Sequence, residues 1–284
     1  MGTYSNRSIL ITGCSSGIGL CVAEGLQRRG YRVFAAARRA EDVARLRGRG
    51  LESLALDLDD SRSIAGAVDE VLERTDGALY ALFNNGAYGQ PGAVEDLGRD
   101  VLRAQLETNL FGWLELTNRV LPTMRRRDQG RVIHNSSVLG LVALAYRGAY
   151  VASKFALEGL SDALRMELAG SGVHVSLIEP GPILSRFRQN SLRALETGID
   201  MEASVHRDQY RAMLGRLGKE GAAVPFTLAP EAVLRRVIHA LESPRPKARY
   251  YVTFPTYLFA ALRRVLPSRA LDSILLKVSG IGNR

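Results

Sequence analysis

Tyr150 and Lys154 stand four residues apart in Tyr150-Val151-Ala152-Ser153-Lys154, so on a helix the phenol and the ammonium share one face. That pairing suggests proton transfer. A phenol titrates near pH 10 in water and exchanges protons poorly at neutral pH unless a nearby cation stabilises its anion. Lys154 would be that cation. Of 38 cationic residues, 34 are Arg and only four are Lys. A Lys in this chain therefore marks a place where a compact ammonium serves better than a planar guanidinium. Thirteen residues before Tyr150, a strand-like run ends in His134-Asn135-Ser136-Ser137, and a hydroxyl there could hydrogen-bond a substrate oxygen. Ser137 is the candidate of the two serines. Asn109, in Thr108-Asn109-Leu110, lies among apolar neighbours and needs a water or backbone partner. It either anchors a proton-relay water or bends its helix.

These residues need a scaffold, and the chain predicts one. Short apolar or β-branched runs occur at Ile9–Ile11, Arg32–Ala36, Ser53–Leu56, Leu79–Phe83, Arg131–Asn135, Val173–Ile178 and Tyr250–Thr253. Between them, Ile18–Arg29, Ser61–Arg74, Arg99–Met124, Ala149–Leu168 and Pro230–Leu241 repeat apolar residues at three- and four-residue intervals, as helices do. Alternating strands and helices predict an α/β fold of the Rossmann type: a doubly wound parallel sheet in a single domain, with helices on both faces and ligands beyond the carboxyl ends of the strands. The expected domain runs over residues 1–254 and includes an insertion at 185–227 that could form a lid over a site. A basic, apolar helical extension follows at 255–284.

After the first strand comes Thr12-Gly13-Cys14-Ser15-Ser16-Gly17-Ile18-Gly19, and then a helix. Glycines at 13, 17 and 19 suit a sharp turn, a close approach of backbone to pyrophosphate and tight helix packing, respectively. The second strand ends in Ala36-Ala37-Arg38-Arg39, where a carboxylate would be expected to bind an unphosphorylated adenosine ribose. Arg38, with help from Arg39, would instead pair with a 2′-phosphate, pointing to NADP(H). The alternative is solvated surface charge opening a helix. Asp57 and Leu58 follow the third strand and Asn84-Asn85-Gly86 the fourth, where the adenine and the body of such a cofactor would lie.

The formal net charge of +9 is concentrated at one end: residues 231–284 hold ten Lys or Arg and three Asp or Glu. A nucleic-acid groove spread over the domain is therefore not expected. The C-terminal mixture of aromatic, apolar and basic residues suits contact with a membrane surface, a substrate pocket or a subunit interface. Two cysteines and four scattered histidines give no disulfide scaffold and no metal site. With no apolar stretch long enough to cross a bilayer and no room for a secretion signal before the first strand, a cytoplasmic protein is expected, with peripheral membrane contact as an option.

The order of motifs is similar to that of the short-chain dehydrogenase/reductase family. Thr12–Gly19 resembles its glycine motif, Asn84–Ala87 its Asn-Asn-Ala-Gly motif, Asn109, Ser137, Tyr150 and Lys154 its catalytic tetrad, and Pro180-Gly181 its turn after the sixth strand. The resemblance implies Tyr150 as general acid/base, Lys154 lowering its pKa, Ser137 orienting the substrate oxygen and Asn109 holding a relay water. It also implies that Ile183 meets the nicotinamide carboxamide and that Ser185 takes the place of a cofactor-contacting Thr. Residues 86–87 read Gly-Ala where the family usually has Ala-Gly. Leu177–Ile183 and Phe155–Gly159 are nearest to members acting on retinoids, hydroxysteroids and long-chain aldehydes, which implies a bulky apolar alcohol or carbonyl substrate. A homodimer or homotetramer is implied as well. The weighed alternative is a non-catalytic dinucleotide-binding regulatory protein of the same fold.

Overall fold

The computed structural model describes residues 7–218, 221 and 224–279. The first half alternates β1 (Ser8–Ile11), α1 (Gly17–Arg28), β2 (Arg32–Ala37), α2 (Ala40–Gly48), β3 (Glu52–Ala55), α3 (Ser61–Arg74) and β4 (Leu79–Asn84). A long helical stretch follows as α4 (Arg99–Leu106), a π-helical turn (Glu107–Phe111) and α5 (Gly112–Arg126). Then come β5 (Gly130–Asn135), α6 (Gly148–Glu167) and β6 (Val173–Glu179). The insertion folds as α7 (Phe187–Gly198) and α8 (Arg207–Leu217), ahead of α9 (Glu231–Glu242), β7 (Arg249–Tyr251), α10 (Phe254–Val265) and α11 (Ser268–Ser279).

The seven strands form one sheet in the order β3-β2-β1-β4-β5-β6-β7, and every pairing is parallel. Side chains alternate as period-two geometry requires. Ile9, Ile11, Val33, Ala35, Ala81 and Phe83 pack toward α1, α2 and α9. Leu10, Phe34, Ala36, Leu82, Val132 and Val175 pack toward α3, α5 and α6. Order reverses at β1, where β2 and β4 flank it, so the crevice above β1 is the topological switch point at which ligands bind in such sheets.

Three elements differ from the expectation. Helix α2 is not foreshadowed by an apolar repeat because only Val43 and Leu46 of its nine residues are buried. The predicted helix 99–124 is interrupted by the π turn that holds Asn109. The last strand stops at Tyr251, since Thr253 caps the start of α10 and is fully buried beside Gly181. The insertion is more ordered than a polar loop. Leu195, Ile199, Tyr210, Met213 and Leu217 form a small core of their own, closed on the main domain by Ala93. Part of its Gly-rich stretch 215–223 lies outside the described residues.

Candidate active site

The β1–α1 loop is built to stay tight against β4. Thr12 is buried, and its Oγ1 accepts the N–H groups of Asn85 and Gly86, each at 2.9 Å. Gly13 sits at φ +70°, and a Cβ there would lie 2.5 Å from Gly86 Cα. At Gly19 a Cβ would meet the Gly13 carbonyl at 2.3 Å. Helix α1 therefore begins directly over the strand ends. Ser16 is its N-cap but makes no side-chain cap bond, and no acid occupies the first turn, so the positive end starting at Gly17 is available to an anion. Ile18 packs on the core below. Arg45 of α2, which sequence reasoning missed, donates to the Ser15 carbonyl at 2.8 Å and pairs with Asp42 at 2.5 Å.

Around this loop stand the other predicted cofactor contacts. Arg38 is exposed at the end of β2 with no ion-pair partner among the described residues, whereas Arg39, the N-cap of α2, lies 3.6 Å from Glu41. Asp57 donates its N–H to Ser63 Oγ at 2.9 Å, and Leu58 reaches Gly86. Pro180 accepts the Val138 N–H at 2.8 Å, and Gly181 lies against Thr253 Oγ1, where a Cβ would be only 2.2 Å away. Ile183 bridges to Leu228, and Ser185 lies against Gly17.

Tyr150, Ser137 and Lys154 converge where β5 ends and α6 begins. The Tyr150 hydroxyl lies beside that of Ser137, and its ring meets Phe187 of the insertion edge-on at 5.3 Å. Lys154 is buried, donates to the Asn135 carbonyl at 2.9 Å and lies 4.2 Å from the centre of the Trp113 ring. Asn135 Nδ2 in turn donates to Asn85 Oδ1 at 2.9 Å, and Asn85 Nδ2 donates to the Thr12 carbonyl at 3.0 Å. One hydrogen-bonded chain thus runs from the catalytic-face lysine to the glycine loop. Trp113 closes it from the side, donating Nε1–H to the Gly86 carbonyl at 2.8 Å and stacking on His134. His134 is buried and pushed down to about 3, so the imidazole is neutral. With its Nδ1 paired to the Asn84 amide donor, it carries its proton on Nε2. Asn135 and Trp113 were not among the predicted site residues.

Burial dominates the electrostatics of Tyr150 and Lys154. Lys154 does not bring the phenol down within the polypeptide alone: burial pushes Tyr150 up to about 12, and the Ser137 hydrogen bond opposes this only in part. The same burial pushes Lys154 itself down to about 7, against the attraction of Glu158. Asn109 shows a positioning contact. Its Nδ2 donates to the Tyr88 carbonyl at 2.8 Å, its Oδ1 accepts the Tyr88 N–H at 3.2 Å, and it reaches Ser153 Oγ at 3.3 Å. That is the backbone partner a buried amide requires, and it ties the π turn to the β4 loop and to α6.

A depressed lysine favours the folded state at high pH. Above about pH 10.5 the group is neutral in both states; as pH falls toward 7 the unfolded chain binds a proton that the fold resists, and stability declines. Lys154→Met removes this increment. In urea denaturation of the ligand-free protein, the wild-type stability relative to that variant is expected to rise between pH 7.5 and 9.5, and a flat difference would contradict the burial described.

Behind Ser137 lies a buried ion cluster that the sequence did not suggest. Arg249 pairs with Glu158, with Glu179 at 2.7 Å and with Asp162 at 2.6 Å, while Ser136 donates to Glu158. Glu179 is fully buried, and burial beside Glu158 raises it well above the usual carboxylate range. The described residues include no cluster of His, Cys, Asp or Glu that could hold a metal ion, and no helix long and apolar enough to cross a membrane.

A phosphate-accepting loop at the switch point of a parallel sheet, with a Ser-Tyr-Lys group at the neighbouring strand end, defines a dinucleotide-dependent oxidoreductase. Residues 7–196 match the short chain dehydrogenase family, and the chain belongs to it. Similar proteins include the uncharacterized oxidoreductase YbbO of Escherichia coli, 44% identical over 96% of both chains. Human 17-beta-hydroxysteroid dehydrogenase type 1 is 37% identical, covering 86% of this chain and 77% of that one, and bovine retinol dehydrogenase 8 is 31% identical, covering 93% and 87%. Among solved structures, a short-chain dehydrogenase from Streptomyces avermitilis superposes with a TM-score of 0.77 at 26% identity over 98% of each chain. One from Burkholderia phymatum in complex with NAD gives 0.76 at 25% identity, over 98% of this chain and 97% of that one.

Proposed function

We infer that the protein is an NADP(H)-dependent reductase of an aldehyde or ketone on a bulky apolar molecule, with the reverse oxidation available. The pairing of a buried Tyr150 phenol, held neutral by that burial, with the Ser137 hydroxyl carries this reading, because a protonated phenol is the form that gives a proton to a carbonyl oxygen. The residues fit a dinucleotide. The glycine loop leaves no room for side chains, the α1 terminus is uncapped, and the buried Asn135 Oδ1 has no protein partner beside Lys154.

The cofactor, when bound, supplies the hydride. Ser137 donates to the substrate oxygen and holds it near the phenol; Tyr150 gives its proton to that oxygen as the carbonyl carbon is reduced. Lys154, fixed by Asn135, supplies positive charge near the phenolate that remains and is placed to hold a ribose hydroxyl. Thr12, Gly13, Ser15, Ser16, Gly17, Ile18 and Gly19 would cradle the pyrophosphate. Asp57, Leu58, Asn85 and Gly86 would line the adenosine side, and Pro180, Gly181, Ile183 and Ser185 the nicotinamide side.

Arg38 would take the 2′-phosphate, with Arg39 partly committed to Glu41. Arg38→Asp puts a carboxylate where the phosphate would lie and is expected to shift preference from NADPH toward NADH by on the order of a hundredfold in kcat/KM. Assays of both cofactors with retinal, a ketosteroid and a long-chain aldehyde check this, and wild-type preference for NADH would overturn the reading. The similarity to dehydrogenases named for hydroxysteroids and retinol supports the substrate class. Phe187 and Leu192 would line its pocket. Exposed Phe111, Leu114 and Leu160 beside the α5–α6 groove suit a second copy of the chain, giving a homodimer or homotetramer. We place the protein in the cytoplasm.

A further inference from the structure

Helix α10 is apolar on both sides. Phe259 packs inward with Val142 and with Leu275 of α11. The opposite side shows Phe254, Tyr257, Leu258, Ala261 and Val265 to solvent, with Phe254 57%, Tyr257 49% and Val265 75% exposed. These positions follow the i, i+3, i+4, i+7, i+11 spacing of one helical stripe. A surface helix normally turns such a stripe inward. Phe226, 59% exposed, extends the patch: it is held at φ +60°, a backbone conformation rare for a bulky residue, with its ring 5.1 Å from that of Phe254. Exposed Leu228 and Leu184 continue it, joined by a 2.9 Å hydrogen bond from the Leu184 N–H to the Leu228 carbonyl. Leu184 adjoins Ser185, which lies against Gly17, and Phe187 lies against Tyr150. The apolar surface therefore borders the mouth of the candidate active site.

Its charge is one-sided. Helix α10 has no acidic residue. Arg264 lies on the exposed side, Arg263 and Arg269 are exposed nearby, and Arg236 donates to the Tyr257 hydroxyl at 3.2 Å. We propose that this face seats on an anionic lipid surface, with α10 lying in the headgroup plane and the substrate mouth beside the bilayer. Aromatic rings settle at headgroup depth, guanidinium groups pair with lipid phosphates, and the apolar stripe enters the acyl boundary. Self-association through this face would instead set one cationic helix against another.

Co-sedimentation of the full chain with phosphatidylcholine vesicles, with and without phosphatidylglycerol, tests this at low and high salt. The wild type is expected to pellet with the anionic vesicles, less so as salt rises or after Arg264→Glu. The double variant Phe254→Ser, Leu258→Ser is expected to partition at least about tenfold less, with its melting temperature and its turnover of a water-soluble carbonyl unchanged. Wild-type protein that stays in the supernatant with anionic vesicles at low salt overturns the proposal, as does a double variant that binds equally well. Sedimentation velocity without vesicles covers the rival occupant: self-association abolished by the double variant would assign the face to a second copy. Vesicle binding does not depend on which substrate or cofactor the site takes, so this result stands apart from the assays above.

Discussion

Tyr150→Phe is expected to lower kcat/KM for carbonyl reduction by about a thousandfold while leaving the fold intact, because it deletes only the hydroxyl that passes on a proton. The ring is buried and held edge-on by Phe187, and Phe keeps both the volume and that contact. Ser137 Oγ accepts the Leu139 N–H at 3.1 Å, a bond the variant retains. Steady-state kinetics beside a thermal melt separate chemistry from stability. Undiminished turnover in a well-folded variant would remove Tyr150 from the mechanism. Ser137→Ala is expected to cost less, since it removes an orienting hydrogen bond and leaves the proton donor in place.

Arg249→Met is expected to be the most destabilising single substitution around the site, by about 3–5 kcal/mol at pH 8, because it strands carboxyl groups that cannot reach water easily. Glu158 and Glu179 are buried, and Arg249 is the cation both of them touch. The pH dependence has a definite sign. Without Arg249 the folded-state carboxyls titrate still higher than the raised positions they already hold, so the variant is relatively more stable at low pH and loses stability as pH rises through those values. Urea denaturation at pH 5 and 8 reads this directly, and an equal loss at both would show that the cluster is not electrostatically governed. Glu179→Gln supplies the contrast. Burial already biases Glu179 toward its neutral form and its Oε2 has no partner among the described residues, so the amide is expected to change stability by less than about 1 kcal/mol.

The fold was legible because its signals are local. Ile9 and Ile11 alternate with Leu10 to serve two faces of one sheet, and the glycines of 13–19 carry their meaning in order and in position after a strand. The Tyr150 and Lys154 spacing put both groups on α6 without any knowledge of the partner strand. The links between distant segments were not legible. Asn135 and Asn85 are 50 residues apart and meet only because β5 lies beside β4; Arg249 meets Glu158 across 91 residues. The environment of the phenol is hidden from the sequence for a related reason. A charge four residues away is visible in the sequence, but the burial that outweighs it is created by Phe187 and the rest of the fold.

The two helices that follow Ser185 enclose their own small core and meet the main domain at Ala93, Leu97 and Tyr146. The hydrogen-bonded chain from Lys154 to Thr12 runs entirely through the other part of the molecule. An insertion organised in this way can vary as a unit while the Ser137, Tyr150 and Lys154 group and its links to the glycine loop stay intact. The segment that touches Tyr150 through Phe187 is then free to diverge among relatives without disturbing the sheet.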